Sequence, residues 1–311
     1  MILKLIRRNS LLNGFIRNAL VNLGRSVRFI QSHWRVSGVV NVNMAKVAFK
    51  YYSHADDSIA DILFYKDRYA EDADIKVFLN LVVSAKTVFD IGANTGLYTV
   101  IGGKHAEHTS FYSFEPHPAN FNRLQKNVEL NDLKNVTPVQ KAIGDKDSYI
   151  DFYVPKTEGI IDTSSALKDF SETTYGGTIS WKPVKVAQTS LDNFVALNSI
   201  HQLDLIKIDV EGYEVVVFEG ARKTIEKFKP VIICEIFLSE EKRIYFNTFI
   251  KEHNYIAYMI LSEGLVRLDQ DLVQNVSGLN YLFAAVKSDK VFTPFKDVYK
   301  LITGKPVHDG L

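Results

Sequence analysis

Hydrophobic and polar positions change rhythm several times along this chain. Val36 to Tyr52 alternate between apolar and polar, the period of one or two half-exposed strands. Asp57 to Tyr65 and Ile75 to Val83 repeat at helical spacing. From Thr87 onward, short β-branched and aromatic runs take turns with helical segments. The pattern predicts strand 87–91, helix 95–104, strand 109–114, helix 118–130 and strand 136–141. A long polar stretch, Pro155 to Lys182, then intervenes; its length suits a lid, a binding loop or disorder. Beyond it come strand 184–188, a short helix 191–198, strand 203–209, helix 213–228 and strand 231–236. Ala257–Leu261, Leu265–Asp269 and Tyr281–Val286 read as closing strands. Such alternation predicts an α/β fold, a doubly wound and mostly parallel sheet covered on both faces.

Composition changes the picture mainly at the N-terminus. The 311 residues are 46% hydrophobic and 23% charged, ordinary values for a soluble globule. Net charge is +1, yet residues 1–55 hold nine Lys/Arg and no Asp or Glu, leaving 28 basic and 36 acidic residues in 56–311, a net of −8. An acidic body argues against DNA or RNA as substrate. Leu11, Leu12, Phe15, Ile16, Ala19, Leu20 and Leu23 recur at three- and four-residue steps, with Arg8, Arg17, Arg25 and Arg28 mostly off that stripe. A basic amphipathic helix of this kind suits an anionic membrane surface or a partner groove. Packing of its apolar face on the protein itself is an equal alternative. Gly14 and Gly24 weaken the helix, and charges interrupt the first residues too often for a secretory signal. The expected division is a basic appendage at 1–55, a main domain at 56–290 and a tail at 291–311. The single cysteine, Cys234, lies in an apolar run and reads as core; the lack of a disulfide partner fits a cytoplasmic setting, to which the basic segment 1–35 adds an expected peripheral membrane contact.

The chemistry is concentrated at three strand ends. Thr87-Val88-Phe89-Asp90-Ile91-Gly92-Ala93-Asn94-Thr95-Gly96 is a strand, a glycine-flanked turn and a helix start, the place where open α/β sheets bind cofactors. Gly92 and Gly96 permit unusual backbone angles and close ligand approach. Their spacing is G-x-x-x-G, not the dinucleotide G-x-G-x-x-G. Glu115, 25 positions after Asp90 at the tip of the next strand, is placed to accept both hydroxyls of a ribose; capping the helix from Pro118 is its simpler alternative. Leu203-Asp204-Leu205-Ile206-Lys207-Ile208-Asp209-Val210-Glu211-Gly212-Tyr213-Glu214 forms the third strand end. Asp209 and Glu211 are candidates for orienting donor or acceptor and for accepting a proton, Asp209 being a candidate for cofactor binding as well; Glu235 on the next strand joins them, and Lys207 can pair with a neighbouring carboxylate. Negative charge at a helix start would by itself suffice for Glu214. His105 and His108, three apart in a polar loop, are a weak metal signal, and two carboxylates do not specify a cation. His117 lies near the presumed ribose site.

Together, the glycine turn, Glu115 and the Lys-Ile-Asp-Val-Glu-Gly-Tyr-Glu block resemble the FkbM family of S-adenosylmethionine-dependent methyltransferases. Thr189-Ser190-Leu191-Asp192, Phe218-Glu219-Gly220-Ala221 and Asn280-Tyr281-Leu282-Phe283 extend the resemblance to roughly Asp57–Val286. Members often carry a histidine just past the acidic tip of the following strand; here Phe237 stands there. The resemblance implies a Rossmann-like class I methyltransferase sheet. It also implies S-adenosyl-L-methionine as cofactor, its amino-acid part over Gly92, Ala93 and Asn94 with Asp90 facing the amino group, its ribose on Glu115 and its adenine by Lys141 and Ala142. The implied activity is O-methylation of a sugar, glycoconjugate or small product. A nucleotide-dependent oxidoreductase is disfavoured by the absence of G-x-G-x-x-G and of a Tyr-x-x-x-Lys pair. A membrane-associated scaffold with a vestigial cofactor site is disfavoured by the intact Asp90, Gly92, Gly96, Glu115 and Asp209.

Overall fold

A computed structural model describes residues 37–54, 58–65, 73–156, 164–168, 180–261, 264–268, 271–273 and 280–285, with the single positions 15 and 19. The expected amphipathic helix, most of the polar stretch and the tail at 291–311 lie outside the described residues. The first strands described form an antiparallel hairpin, β1 (Gly38–Met44) and β2 (Val47–Ser53). Ala45 and Lys46 at its tip both have positive φ, 48° and 66°, the geometry that matches hairpin twist in a two-residue turn. Helices α1 (Ser58–Tyr65) and α2 (Ala73–Val82) follow, then β3 (Thr87–Ile91), α3 (Leu97–His105), β4 (Ser110–Phe114), α4 (Pro118–Leu130) and β5 (Val136–Val139). Next come β6 (Ala142–Gly144), β7 (Ser148–Pro155), β8 (Trp181–Ser190), α5 (Leu191–Leu197), β9 (Leu205–Ile208), α6 (Glu214–Glu219) and α7 (Arg222–Phe228). The described elements close with β10 (Val231–Glu235), α8 (Glu240–His253), β11 (Tyr255–Leu261), β12 (Gly264–Leu268) and β13 (Asn280–Ala285).

Eight strands form the central sheet in the order β12-β11-β13-β10-β9-β3-β4-β5. The run from β10 to β5 is parallel, and β13 inserts antiparallel beside β10. Strand order reverses between β3 and β9, so their carboxyl ends open a crevice between divergent loops. Alternate side chains feed two cores. Val88 and Leu205 face one with the hairpin, α2, α3 and α4, whereas Phe89, Ile91, Ile206 and Ile208 face the other with α5, α6, α7 and α8. The doubly wound, Rossmann-like class I architecture is therefore present as expected. Although charge sets residues 1–55 apart, Val40, Val42, Met44, Val47, Phe49 and Tyr51 are buried in the first core.

Three expectations need correction. Strand 136–141 ends at Val139, whose carbonyl accepts the N–H groups of both Glu115 and Lys141 (3.1 and 3.0 Å) and reverses the chain. Residues 142–144 pair instead with β8, in a separate three-stranded sheet ordered β6-β8-β7. Helix 213–228 is two helices. A Cβ on Gly220 would lie 1.8 Å from the Gly144 carbonyl oxygen, so the chain bends there to meet β6. Asp192 then caps α7 by accepting the N–H groups of Lys223 and Thr224 (3.1 and 2.7 Å). Finally, α8 was not anticipated between strands 231–236 and 257–261. Its signals are local: Ser239 accepts from Lys242 N–H at 3.3 Å, Glu240 and Glu241 open it, and Asn254 ends it with φ 55°.

Candidate active site

The crevice at the switch point is a cleft of ≈ 230 Å³. Gly92, Asn94, Glu115, Lys141, Ala142, Asp209, Glu211 and Glu235 all line it. Eight sequence-derived candidates thus meet at one place, from five strand ends and the residues after them. Asp90 and Ala93 sit just beneath, buried, and Gly96 turns into α3 with φ 95°. Gly92 has φ 80°, and a Cβ there would lie 1.8 Å from the Asp209 carbonyl oxygen. The glycine is required by the neighbouring strand end, a contact that spacing alone could not reveal.

Glu115 is 4% exposed. Its Oε2 accepts the Asn94 N–H at 2.9 Å and its Oε1 the His117 N–H at 2.8 Å. Burial pushes this carboxyl up to about 7, against the pull of those two donors. Asp90 is fully buried; the Thr99 hydroxyl donates to its Oδ2 at 2.6 Å and lies 2.8 Å from Ser113 Oγ. Burial raises the Asp90 carboxyl too, with Lys207 opposing. Burial holds His117 below its ordinary value.

Lys207 is the cation of the site. It is the ladder partner of Asp90 across β3 and β9, and its ammonium reaches Asp209 Oδ2 at 2.8 Å beneath the cleft. The same nitrogen lies 4.6 Å from the centre of the Tyr98 ring. Burial depresses its pKa, but Asp209 and Asp90 outweigh that and hold it above the usual lysine value. On the other side, Glu235 hydrogen-bonds Asp209, and burial with the Asp209 and Glu211 charges pushes it up to about 9. Glu235 is therefore biased toward its neutral form beside Asp209, which also faces Lys207. Glu211 takes a left-handed conformation, φ 50°, and Gly212 follows with φ 101°. The Gly212 N–H donates to Glu214 Oε1 at 2.7 Å, while Lys242 pairs with Glu214 Oε2. Glu214 is thus fixed in the wall behind the turn, away from the cleft lining.

Several lining residues had not been singled out: Ile59, Asn120, Phe152, Ser164, Ala166 and Tyr213. Tyr213 belongs to the charged block and was legible as part of it, whereas Ser164 comes from a polar stretch with no periodicity. Cys234 is buried core, as expected. His108 Nε2 lies 3.0 Å from the Val83 carbonyl oxygen, outside the cleft lining. Among the described residues no group of three His, Cys, Asp or Glu side chains is arranged for a metal ion.

Parallel strands, a switch-point cleft and an acidic strand tip at Glu115 define the class I methyltransferase architecture. The family sequence model described as the methyltransferase FkbM domain matches residues 90–262, more than half of the chain. The chain belongs to the FkbM methyltransferase family. It is similar to Methyltransferase 1 of Beauveria bassiana, 25% identical over 142 residues, covering 43% of this chain and 57% of that protein. It is also similar to the hexuronic acid methyltransferase AglP of Haloferax volcanii, 24% identical over 176 residues, 57% of this chain and 66% of the relative. The chain thus spans under two thirds of the length of these relatives. Among solved structures, methyltransferase FkbM from Methylobacillus flagellatus covers 86% of this chain and 60% of its own at 13% identity, TM-score 0.42. The O-methyltransferase from Bacillus cereus covers 74% and 86% at 14% identity, TM-score 0.42.

The cofactor of this family is S-adenosyl-L-methionine, and the residues present fit it. Asp90 Oδ1 and Asn94 Oδ1 are buried beside the glycine turn with no hydrogen-bond partner. Acceptor oxygens of this kind, with the Glu115 carboxylate, match a ligand that brings an ammonium group and a ribose diol.

Proposed function

We propose that this chain is an S-adenosylmethionine-dependent O-methyltransferase whose acceptor is a hydroxyl of a sugar, a glycoconjugate or a small biosynthetic product. One observation carries the proposal: the same cleft holds Glu115, steadied by two backbone N–H groups, and the hydrogen-bonded Asp209–Glu235 pair. The first is a ribose-binding arrangement and the second a proton-handling one. The name of the Haloferax relative supports a sugar acceptor.

When bound, S-adenosylmethionine supplies a methyl group made electrophilic by its sulfonium sulfur. Gly92, Ala93, Asn94 and Asp90 hold its amino-acid end, Glu115 its ribose, and Lys141 with Ala142 its adenine. Asp209 accepts the proton of the acceptor hydroxyl, because a neutral alcohol is a weak nucleophile. Lys207 fixes the direction of the Asp209 carboxylate. Glu235, its carboxyl pushed up by burial and by the Asp209 and Glu211 charges, stays hydrogen-bonded to Asp209 as that carboxylate gains the proton. Glu211, two residues further on, orients the acceptor. Alignment of hydroxyl and methyl within the cleft supplies much of the rate.

A screen of glycan and nucleotide-sugar acceptors with labelled donor, read as a mass gain of one methyl, tests the proposal. Calorimetry with S-adenosylhomocysteine precedes it. Tight NAD binding without response to the methyl donor or its demethylated product would end this reading.

A further inference from the structure

Residues 164–168, in the middle of the polar stretch, are pinned beside the cleft. Ser165 exchanges two main-chain hydrogen bonds with Tyr153 of β7, at 2.8 and 3.2 Å. Its hydroxyl donates to the Glu211 carbonyl at 2.6 Å and accepts the Leu167 N–H at 3.0 Å. The segment is thereby tied to the turn that carries Asp209 and Glu211. Holding a non-glycine residue in the left-handed region costs energy, so an external donor on the Glu211 carbonyl helps keep the turn in place. Next to this anchor Ser164 lines the cleft, and its Oγ is buried with no hydrogen-bond partner. Buried hydroxyls are nearly always paired, and this one is positioned to pair with a ligand.

Charge and shape narrow the ligand. Among the described residues lining the cleft, Glu115, Asp209, Glu211 and Glu235 are acidic and Lys141 alone is basic. A carboxylate on the acceptor would face like charge at Glu211 and Asp209. Phe152, Ala166 and Tyr213 offer apolar surface to the C–H face of a ring. We infer that Ser164 to Ala166 form the acceptor subsite for a neutral, hydroxylated ring, with Ser164 Oγ bonding a ring hydroxyl and the Ser165–Glu211 bridge keeping the subsite in register with Asp209. This rests on the methyl-transfer reading above. It also sets this chain apart from a relative whose name specifies an acidic sugar.

The test separates the two ideas by order. S-adenosylhomocysteine is first titrated into wild type, Ser164→Ala and Ser164→Thr, with equal affinity expected for all three. The loaded proteins are then titrated with neutral methyl hexopyranosides and the corresponding methyl hexuronates, read by saturation-transfer NMR. Neutral hexosides should bind wild type, bind Ser164→Ala about three- to tenfold more weakly, the scale of one neutral hydrogen bond, and largely recover in Ser164→Thr. Uronates should bind more weakly than their neutral partners. Unchanged binding in Ser164→Ala, a preference for uronates, or no sugar binding by loaded wild type would overturn the subsite. Failure of wild type to bind S-adenosylhomocysteine would sink the methyl-transfer reading, and the subsite with it.

Discussion

Replacing Glu115 by Gln keeps the side chain's shape while changing three things at once. The charge disappears, and one carboxylate oxygen becomes an NH₂ that can only donate. Because Asn94 N–H and His117 N–H each point at a different oxygen, one of them must then face a donor. An orphaned buried N–H costs about 1–3 kcal/mol. Against this, the variant escapes the burial of a carboxylate. Moving a carboxyl from its ordinary 4.5 to about 7 corresponds to about 3 kcal/mol. The sign follows from linkage: the folded pKa is raised, so Glu115's contribution to stability is fully present below about 4.5 and is lost as pH rises through about 7. The variant should therefore be less stable than wild type near pH 4 and equal or more stable near pH 8. Ligand binding should move oppositely. If ribose hydroxyls donate to an ionised Glu115, wild-type affinity for S-adenosylhomocysteine rises about tenfold per pH unit up to about 7 and then levels off. Loss of a charged hydrogen bond, about 1.5–3 kcal/mol, should weaken binding in the variant roughly tenfold to a hundredfold at pH 8 and flatten its pH profile. Calorimetry at pH 5, 6, 7 and 8, with thermal melts alongside, reads both effects. Equal affinity and an equal pH slope in the two proteins would refute the ribose assignment and leave Glu115 as a brace for the start of α4.

Asp209→Asn and Glu211→Gln should slow methyl transfer about 10²–10⁴-fold, Asp209→Asn more severely, with far-UV circular dichroism unchanged. A loss below about tenfold would give these carboxylates a mainly structural role. Gly92→Ala forces a Cβ to 1.8 Å from the Asp209 carbonyl oxygen at a φ of 80°, so it should lower the melting temperature and abolish donor binding together. A stable variant with normal affinity would show that the two strand ends can part without consequence. Deleting residues 1–35 should leave donor binding intact and reduce co-sedimentation with anionic vesicles, since that segment carries a one-sided basic charge. Loss of folding on this truncation would assign the segment to the protein's own packing.

The parts of the site that sequence disclosed are those written in one short segment each. Strand β3 and its turn, β4 with Glu115 just past its end, and β9 with Asp209 just past its end are short, mostly buried runs rich in β-branched, aliphatic and aromatic residues and stopped by acidic or glycine residues, a signal that survives without knowledge of neighbours. What stayed hidden depends on contacts distant in sequence. The break at Gly220 exists because Gly144 lies against it, and the N-terminus of α7 is capped by Asp192 about thirty positions earlier. The exit of the chain from the central sheet after Val139 turns on one carbonyl shared by two N–H groups. Lys207 was legible as a partner for a carboxylate, but not as the ammonium set between Asp90 and Asp209. Helix α8 is the exception, since Ser239, Glu240, Glu241 and Asn254 mark both its ends locally; its apolar positions are too sparse to draw the eye.

The hydroxyl of Tyr51 in β2 lies 2.6 Å from Thr95 Oγ1, inside the glycine turn, and both groups are buried. The same hairpin is laced to α4: Asn127 accepts the Tyr52 N–H and donates to the Thr95 carbonyl, each at 2.8 Å, and Asn131 bonds both backbone groups of Lys50 at 2.7 Å. Yet the family sequence model matches only from Asp90, inside β3. The unit of kinship is therefore smaller than the unit of folding. A fragment cut at the family boundaries would keep Asp90, Glu115, Asp209 and Glu235 but strip away the hairpin, α1, α2 and the first part of β3, and at the other end β12 and β13. Its glycine turn would lose the Tyr51 hydroxyl, and the first core would lie open to water. Any engineered chimera that transplants this activity must carry the chain from about Gly38 onward, because the segment least marked by ancestry is the one that sets the donor loop in place.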